Sequence, residues 1–438
     1  MLPLILILIL SLFVFYSIRF MMRRGHDLHA FSFFSLYIYT VFTQIGYVYV
    51  PELSIATGAY FGLTLFYKYW AFMFFSFVFT FLLYRIVNRN NSRKVFYIVR
   101  STSLNYGEYF FFSIIILLYI SLNLYFNIYR ASFGYGGGNS MGGPWFGILF
   151  WIYTVCTFIL FTLFRDKSNK IKKRIFSLAI FLPCIIFYLQ VTIASGTRSA
   201  ILYFFICIAF YELSPILKTI KFKRRKIYIF CLSGILVFSA LTTLRAIRDV
   251  GEDVNFSSFA GYDSSESKFS NQDLSAVILL QDYYLPSHTL FISMEYDIVD
   301  PLEVVKSNVA NSLVLLDYPF LTNTILDRGL GIENERGVGW GFHFFVEGYN
   351  AMGILGVFYN ALLWNLGMVL WIRLTQSNNM RLNQVMLAMA ALVIVLITRG
   401  QFAAFIKFYW LVLLPGLGLS LLANNSTIAF LRRSRLGH

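Results

Sequence analysis

The sequence predicts an all-α integral membrane protein with about eleven transmembrane helices and one large periplasmic loop. Three observations carry that prediction. Apolar stretches of about 20 residues recur along the chain, Lys and Arg cluster on alternate connections, and one connection of about 100 residues is acidic. Hydrophobic residues make up 58% of the 438, aromatic residues 19% and charged residues 13%. No water-soluble domain of this size needs such an apolar excess for its core, so the surplus must face lipid.

The apolar stretches define spans near 2–21, 29–50, 59–84, 108–128, 145–164, 174–194, 199–217, 227–244, 345–371, 383–398 and 402–422. Each is close to the length that crosses the hydrocarbon core, with the seventh and tenth short. The first has no Lys or Arg before its apolar run and carries Arg19, Arg23 and Arg24 at its end. That is the reverse of a cleavable secretory signal, so it is expected to stay as a helix.

The net charge of +15 is unevenly distributed. Basic clusters follow span one, span three (Arg85 to Arg100), span five (Arg165 to Arg174), span seven (Lys218 to Lys226), span nine (Arg373, Arg381) and the last span (Arg432, Arg433, Arg435). Together they hold 25 of the 36 Lys and Arg. The positive-inside rule makes their side the cytoplasm, which puts the N-terminus in the periplasm and the C-terminus inside. A multi-pass membrane protein with lipid neighbours and no nucleic-acid partner follows from this reading. Cys156, Cys184, Cys207 and Cys231 all fall inside predicted spans, so neither an outer disulfide framework nor a CxxC metal site is expected.

By this count the chain divides into helices one to eight (1–244), the large loop (245–344), and helices nine to eleven with a short tail (345–438). Between 245 and 340 the loop holds fifteen Asp or Glu against six Lys or Arg. A long loop on a membrane scaffold is where function is expected. Its first third, Asp249 to Asp273, has the composition of a mobile surface segment. Its later part alternates turn residues with apolar runs such as Leu313 to Leu316, the pattern of short helices at the bilayer surface. The Gly-rich stretch 130–144 has no phosphate-loop Lys, and no chemistry is assigned to it.

Charges in or beside the membrane are costly and are functional candidates by default. Eleven basic residues lie outside the cytoplasmic clusters, and four of them share the outer membrane level. Arg198 sits in the turn SGTRSA, Arg245 and Arg248 lie one helical turn apart in LRAIRD, and Arg399 occupies the turn TRGQ. Converging guanidinium groups would bind phosphate or pyrophosphate, because Arg stays charged and grips phosphate oxygens with two donors. The alternative is that each Arg reaches lipid headgroups or pairs with an acid such as Asp249.

A second constellation is GWGFHFFVEGYNAMGILG, residues 339–356, at the entry to span nine. His343 and Glu347 are four apart, the spacing of one helical face. A His near neutral pKa can take a proton from a sugar hydroxyl, and a Glu one turn away can orient it or hold the acceptor. The plainer reading is a surface His and a Glu paired with an Arg. His288 in LPSHTL is the weaker candidate, and no two His or Cys have metal-ligand spacing.

Taken in order along the chain, GTRSAIL, LRAIRD, the large outer loop, HFFVEGYNAMGILG and ITRGQF resemble the O-antigen polymerases, the Wzy-type oligosaccharide repeat-unit polymerases related to the O-antigen ligases. The resemblance covers most of the chain as architecture, and the motifs are short. The ligase branch usually places Asn directly after the His, whereas here Phe344 follows His343, which favours polymerase.

The resemblance implies metal-independent glycosyl transfer without a cofactor. An undecaprenyl-diphosphate-linked glycan would be donor and a second such unit acceptor. Arg198, Arg245, Arg248 and Arg399 would neutralise the departing diphosphate, and His343 or Glu347 would activate the acceptor hydroxyl. A polysaccharide chain-length regulator is a partner it leaves open. The rival readings are an O-antigen ligase and a lipid-linked oligosaccharide flippase or other transporter, though a transporter needs no outer loop of this length.

Overall fold

A computed structural model describes residues 2–42, 63–89, 106–125, 143–165, 171–194, 207–208, 289–296, 300–313, 321, 324–325, 328, 343–375 and 379–435. These residues are almost entirely helical. The helices are α1 (Leu2–Arg23), α2 (Asp27–Tyr37), α3 (Leu63–Val87), α4 (Tyr106–Tyr125), α5 (Gly143–Arg165), α6 (Ile171–Ala194), α7 (Pro301–Ser312), α8 (Phe344–Met352), α9 (Gly356–Thr375), α10 (Met380–Ala388), α11 (Ala390–Arg399) and α12 (Phe402–Arg435). Residues 289–296 are also helical.

Among the described residues, five helical stretches are long and apolar enough to cross a membrane: Leu2–Arg23, Leu63–Val87, Gly107–Tyr125, Phe344–Thr375 and Phe402–Leu422. A bent pair, Arg381–Leu387 with Leu392–Thr398, meets at 55° and passes the same test jointly. The predicted spans 199–217 and 227–244 lie almost wholly outside the described residues, as does most of the 245–344 loop.

In α1 the physical basis is plain. Ile7, Leu10, Val14, Ser17 and Met21 recur every three or four residues and are buried, while Leu8, Leu12 and Phe15 on the other faces are exposed. A helix apolar on every side, with its outer face bare, is built for lipid rather than water.

The chain forms two compact units, one of Met1–Phe96, Ser267–Trp371 and Val393–Phe408, the other of Tyr97–Glu266, Ile372–Leu392 and Tyr409–His438. In the first, aromatic rings fill the interior. Phe33 meets Phe77 edge-on, Phe77 meets Phe345, and Tyr69 stacks on Phe291 with centroids 4.2 Å apart. Buried polar groups find partners across helices: Trp364 Nε1 donates to Ser32 Oγ at 2.9 Å, Asn365 Nδ2 to the Thr80 carbonyl at 3.2 Å, and Tyr84 Oη lies 2.7 Å from His26 Nδ1. In lipid such bonds replace the hydrophobic effect as interhelical glue.

The second unit contains a buried ion pair. Arg381 Nε lies 2.6 Å from Glu108 Oε1, and Nη2 donates to Oε2 at 2.8 Å. The Glu108 side chain is fully buried and that of Arg381 is 12% exposed. Removing one partner leaves a charge without compensation, so Glu108→Ala is expected to destabilise by about 3–5 kcal/mol, whereas Glu108→Leu with Arg381→Met loses much less. Denaturation midpoints of the purified variants test this; a double variant as unstable as the two singles added together would show that the pair is not coupled.

Candidate functional site

The site lies in the first unit, around Glu347. His343 has extended backbone (φ −109°, ψ 149°) and stands at the N-cap of α8, so Glu347 falls in that helix's first turn. At the far end α8 stops at Gly353, whose φ of +57° suits only a residue without a Cβ, and a single 3₁₀ turn, Gly353–Leu355, leads into α9. Gly348 and Gly356 let the two helices approach so closely that a Cβ on Gly356 would run into the Gly348 backbone. That turn brings Tyr359 back beside Glu347.

A second wall comes from α7. Asp300 caps it by accepting from the Leu302 N–H at 2.8 Å, Pro301 occupies its first turn and Glu303 faces the positive end of its dipole. Bidentate contacts from Arg328 to Glu303, both 2.7 Å, hold that end and keep the Glu303 carboxyl below the usual range. The inner row of α7 includes Ser307 and Asn311, both buried, and half-buried Asn308.

The third contributor is the start of α12. The first N–H groups of a helix have no partner within it, and that of Phe402 is given to Glu347 Oε2 at 2.7 Å. Oε1 accepts from Asn308 Nδ2 at 2.5 Å and from Tyr359 Oη at 2.9 Å. Gln401 supports Asn308 from behind: its Nε2 donates to Asn308 Oδ1 at 2.8 Å and to Ser307 Oγ at 3.0 Å, and its Oε1 accepts from the Leu321 N–H at 3.2 Å. Three separated segments thus converge on one fully buried carboxylate. Among the described side chains no Lys or Arg touches it; neutral donors and a helix N-terminus do the work instead.

His343 is also fully buried, and among the described residues neither ring nitrogen has a hydrogen-bond partner. Burial pushes its imidazole down to about 3, so it is uncharged at neutral pH. The one-turn spacing to Glu347 does not produce a His–Glu hydrogen bond, because the extended His343 precedes the helix on which that spacing rule applies.

Further along α8, Asn350 Nδ2 donates to Ser293 Oγ at 3.0 Å. Lys68 Nζ donates to the Met294 carbonyl at 3.1 Å and sits 5.5 Å from the Tyr349 ring centroid.

Of the four Arg residues expected at the outer level, Arg198, Arg245 and Arg248 lie outside the described residues, as does His288. Arg399 is the last residue of α11, three positions before the Phe402 N–H that meets Glu347. The motifs ITRGQF and HFFVEGYNAMGILG are therefore neighbours in space. Asn308, Tyr359 and Gln401 were missed from sequence; only Gln401 carried a signal, its place within ITRGQF. Among the described residues, no group of three or more His, Cys, Asp or Glu is placed to hold a metal ion. Family models, characterised proteins and solved structures, each compared with this chain, provide no match.

Proposed function

We propose that the protein polymerises undecaprenyl-diphosphate-linked oligosaccharide repeat units, for O-antigen or a related surface polysaccharide, by metal-independent glycosyl transfer at the periplasmic face of the bacterial inner membrane. The observation that carries the reading is Glu347: a buried carboxylate at the entry of a membrane-spanning helix, held by three neutral donors in place of a cation. Ionisable groups at such depth are expensive and are kept for chemistry.

Donor and acceptor are both lipid-linked glycans. Arg198, Arg245, Arg248 and Arg399 face the diphosphate of the donor, and their fixed charge stabilises it as it departs. Glu347, with His343 beside it in sequence, serves the acceptor hydroxyl.

Eleven spans, a periplasmic loop over 245–344 and a cytoplasmic C-terminus complete the proposal. Contacts between distant segments support this sidedness. Glu108 and Arg381 join two predicted inner ends, Tyr84 and His26 join two more, and Asn308, Glu347 and Phe402 all belong to predicted outer segments. Reporter fusions after Ser92 and Lys223 are expected to read cytoplasm, and fusions after Ser140 and Ser270 periplasm. A cytoplasmic signal at Ser270 would overturn the site.

Function is tested by deleting the gene and examining the surface glycan on a gel. In the lipopolysaccharide ladder, loss of a polymerase leaves single-unit caps on the lipid A core. Loss of a ligase leaves none, and a ladder of normal length removes both readings.

A further inference from the structure

We infer that Asn308 and Gln401 are positioning residues that act in series on Glu347, so that the loop helix α7 sets the aim of the carboxylate proposed to serve the acceptor. The inference rests on that reading of Glu347 and adds to it how the group is held. An Asn side chain has two faces, one donating and one accepting, and nothing intrinsic decides which points where. Here the neighbour decides. Gln401 Nε2 donates to Asn308 Oδ1, so the Nδ2 face must turn toward Glu347 Oε1.

The Gln401 amide is fixed in turn, because its Oε1 accepts the Leu321 N–H. The result is a one-way chain of donors from Leu321 through Gln401 and Asn308 to Glu347. Its last link is reinforced by Tyr359 Oη, which donates to the same oxygen and accepts from Asn308 Nδ2 at 3.2 Å. A carboxylate that receives every bond and gives none is held with both oxygens in defined directions, which is what orientation of a reacting hydroxyl needs.

The links also differ in what they touch. Asn308 contacts Glu347 directly, while the Gln401 side chain reaches it only through Asn308; the Phe402 N–H is a backbone group that a Gln401 substitution leaves in place. Replacing Gln401 by Glu keeps length and shape but sets an acceptor against Asn308 Oδ1. The Asn308 amide is then driven to flip, turning oxygen toward oxygen at Glu347.

The experiment is extension of a purified lipid-linked repeat unit by the full-length protein in detergent, with kcat and KM measured separately for Asn308→Ala, Gln401→Glu, the double variant and Glu347→Ala. Each single variant of the chain is expected to lose on the order of 10- to 100-fold in kcat, the scale of a small misplacement, with KM little changed. The double variant should be no worse than Asn308→Ala, because Gln401 has no other route to the carboxylate side chain. Gln401→Asn, which retains the donor on a shorter arm, should lie between Gln401→Glu and wild type.

Additive losses, or a fall in KM affinity without loss of kcat, would overturn the serial arrangement. If Glu347→Ala is inactive while Asn308→Ala and Gln401→Glu run at the wild-type rate, the positioning role is wrong and Glu347 keeps its part. Should Glu347→Ala itself be fully active, the reading of Glu347 fails, and the inference with it.

Discussion

Glu347→Gln is expected to lower the rate of chain extension by about 10²–10⁴, the range contributed by a positioned acid or base. The substitution is nearly isosteric, and the geometry explains why it is still severe. A glutamine oxygen can take the place of Oε1 and accept from Asn308 and Tyr359. Its NH₂ then faces the Phe402 N–H, donor against donor, where Oε2 now accepts. An unmet buried donor costs about 1–3 kcal/mol, so some loss of stability should accompany the loss of rate.

Glu347→Ala strands all three donors and is the blunter test, so protein level and unfolding midpoint must be recorded beside activity. His343→Ala breaks no hydrogen bond that the imidazole makes, and a slow but folded variant is the expected outcome. Activity of the wild type should persist in EDTA. A Glu347→Gln variant that extends chains at the wild-type rate would remove any role for the carboxylate as base or orienting group.

Replacement of Arg198 or Arg245 by Ala is expected to nearly abolish polymer, and replacement by Lys to impair it clearly. The argument is one of charge development. As the glycosidic bond breaks, negative charge grows on the departing diphosphate, and fixed donors aimed at it lower the barrier more than they favour the ground state. Loss of one such donor typically costs about 10²–10³ in rate. Lys keeps the charge but not the planar fork that meets two phosphate oxygens together, so it restores only part of the effect. Wild-type chain lengths from both Ala variants at normal protein levels would refute a diphosphate clamp at these positions.

What the sequence made legible follows from local physics. The runs that became α1, α3 and α4 are apolar on every face and need no distant partner to be recognised. Span nine was legible as one apolar run, but its break at Gly353 depends on a positive φ and on the close approach of Gly348 to Gly356, which composition does not encode. The tenth span is one short apolar run in the sequence, and the structure divides it between two helices, Arg381–Leu387 and Leu392–Thr398, which pass the test for a span only together.

Glu347 could be singled out because a carboxylate in apolar sequence is costly wherever the chain places it. Its surroundings could not be read in the same way. Asn308, Tyr359 and Phe402 stand 39, 12 and 55 residues away, all beyond the three or four residues that a single helical turn brings together. Sequence alone determined which residues cannot face water and which charges lipid would not tolerate, since both are properties of single side chains against a solvent. Tertiary structure decided that His343 is extended rather than helical, and that Glu347 answers to neutral donors on three segments, because hydrogen bonds depend on distance and direction between groups that only folding brings together.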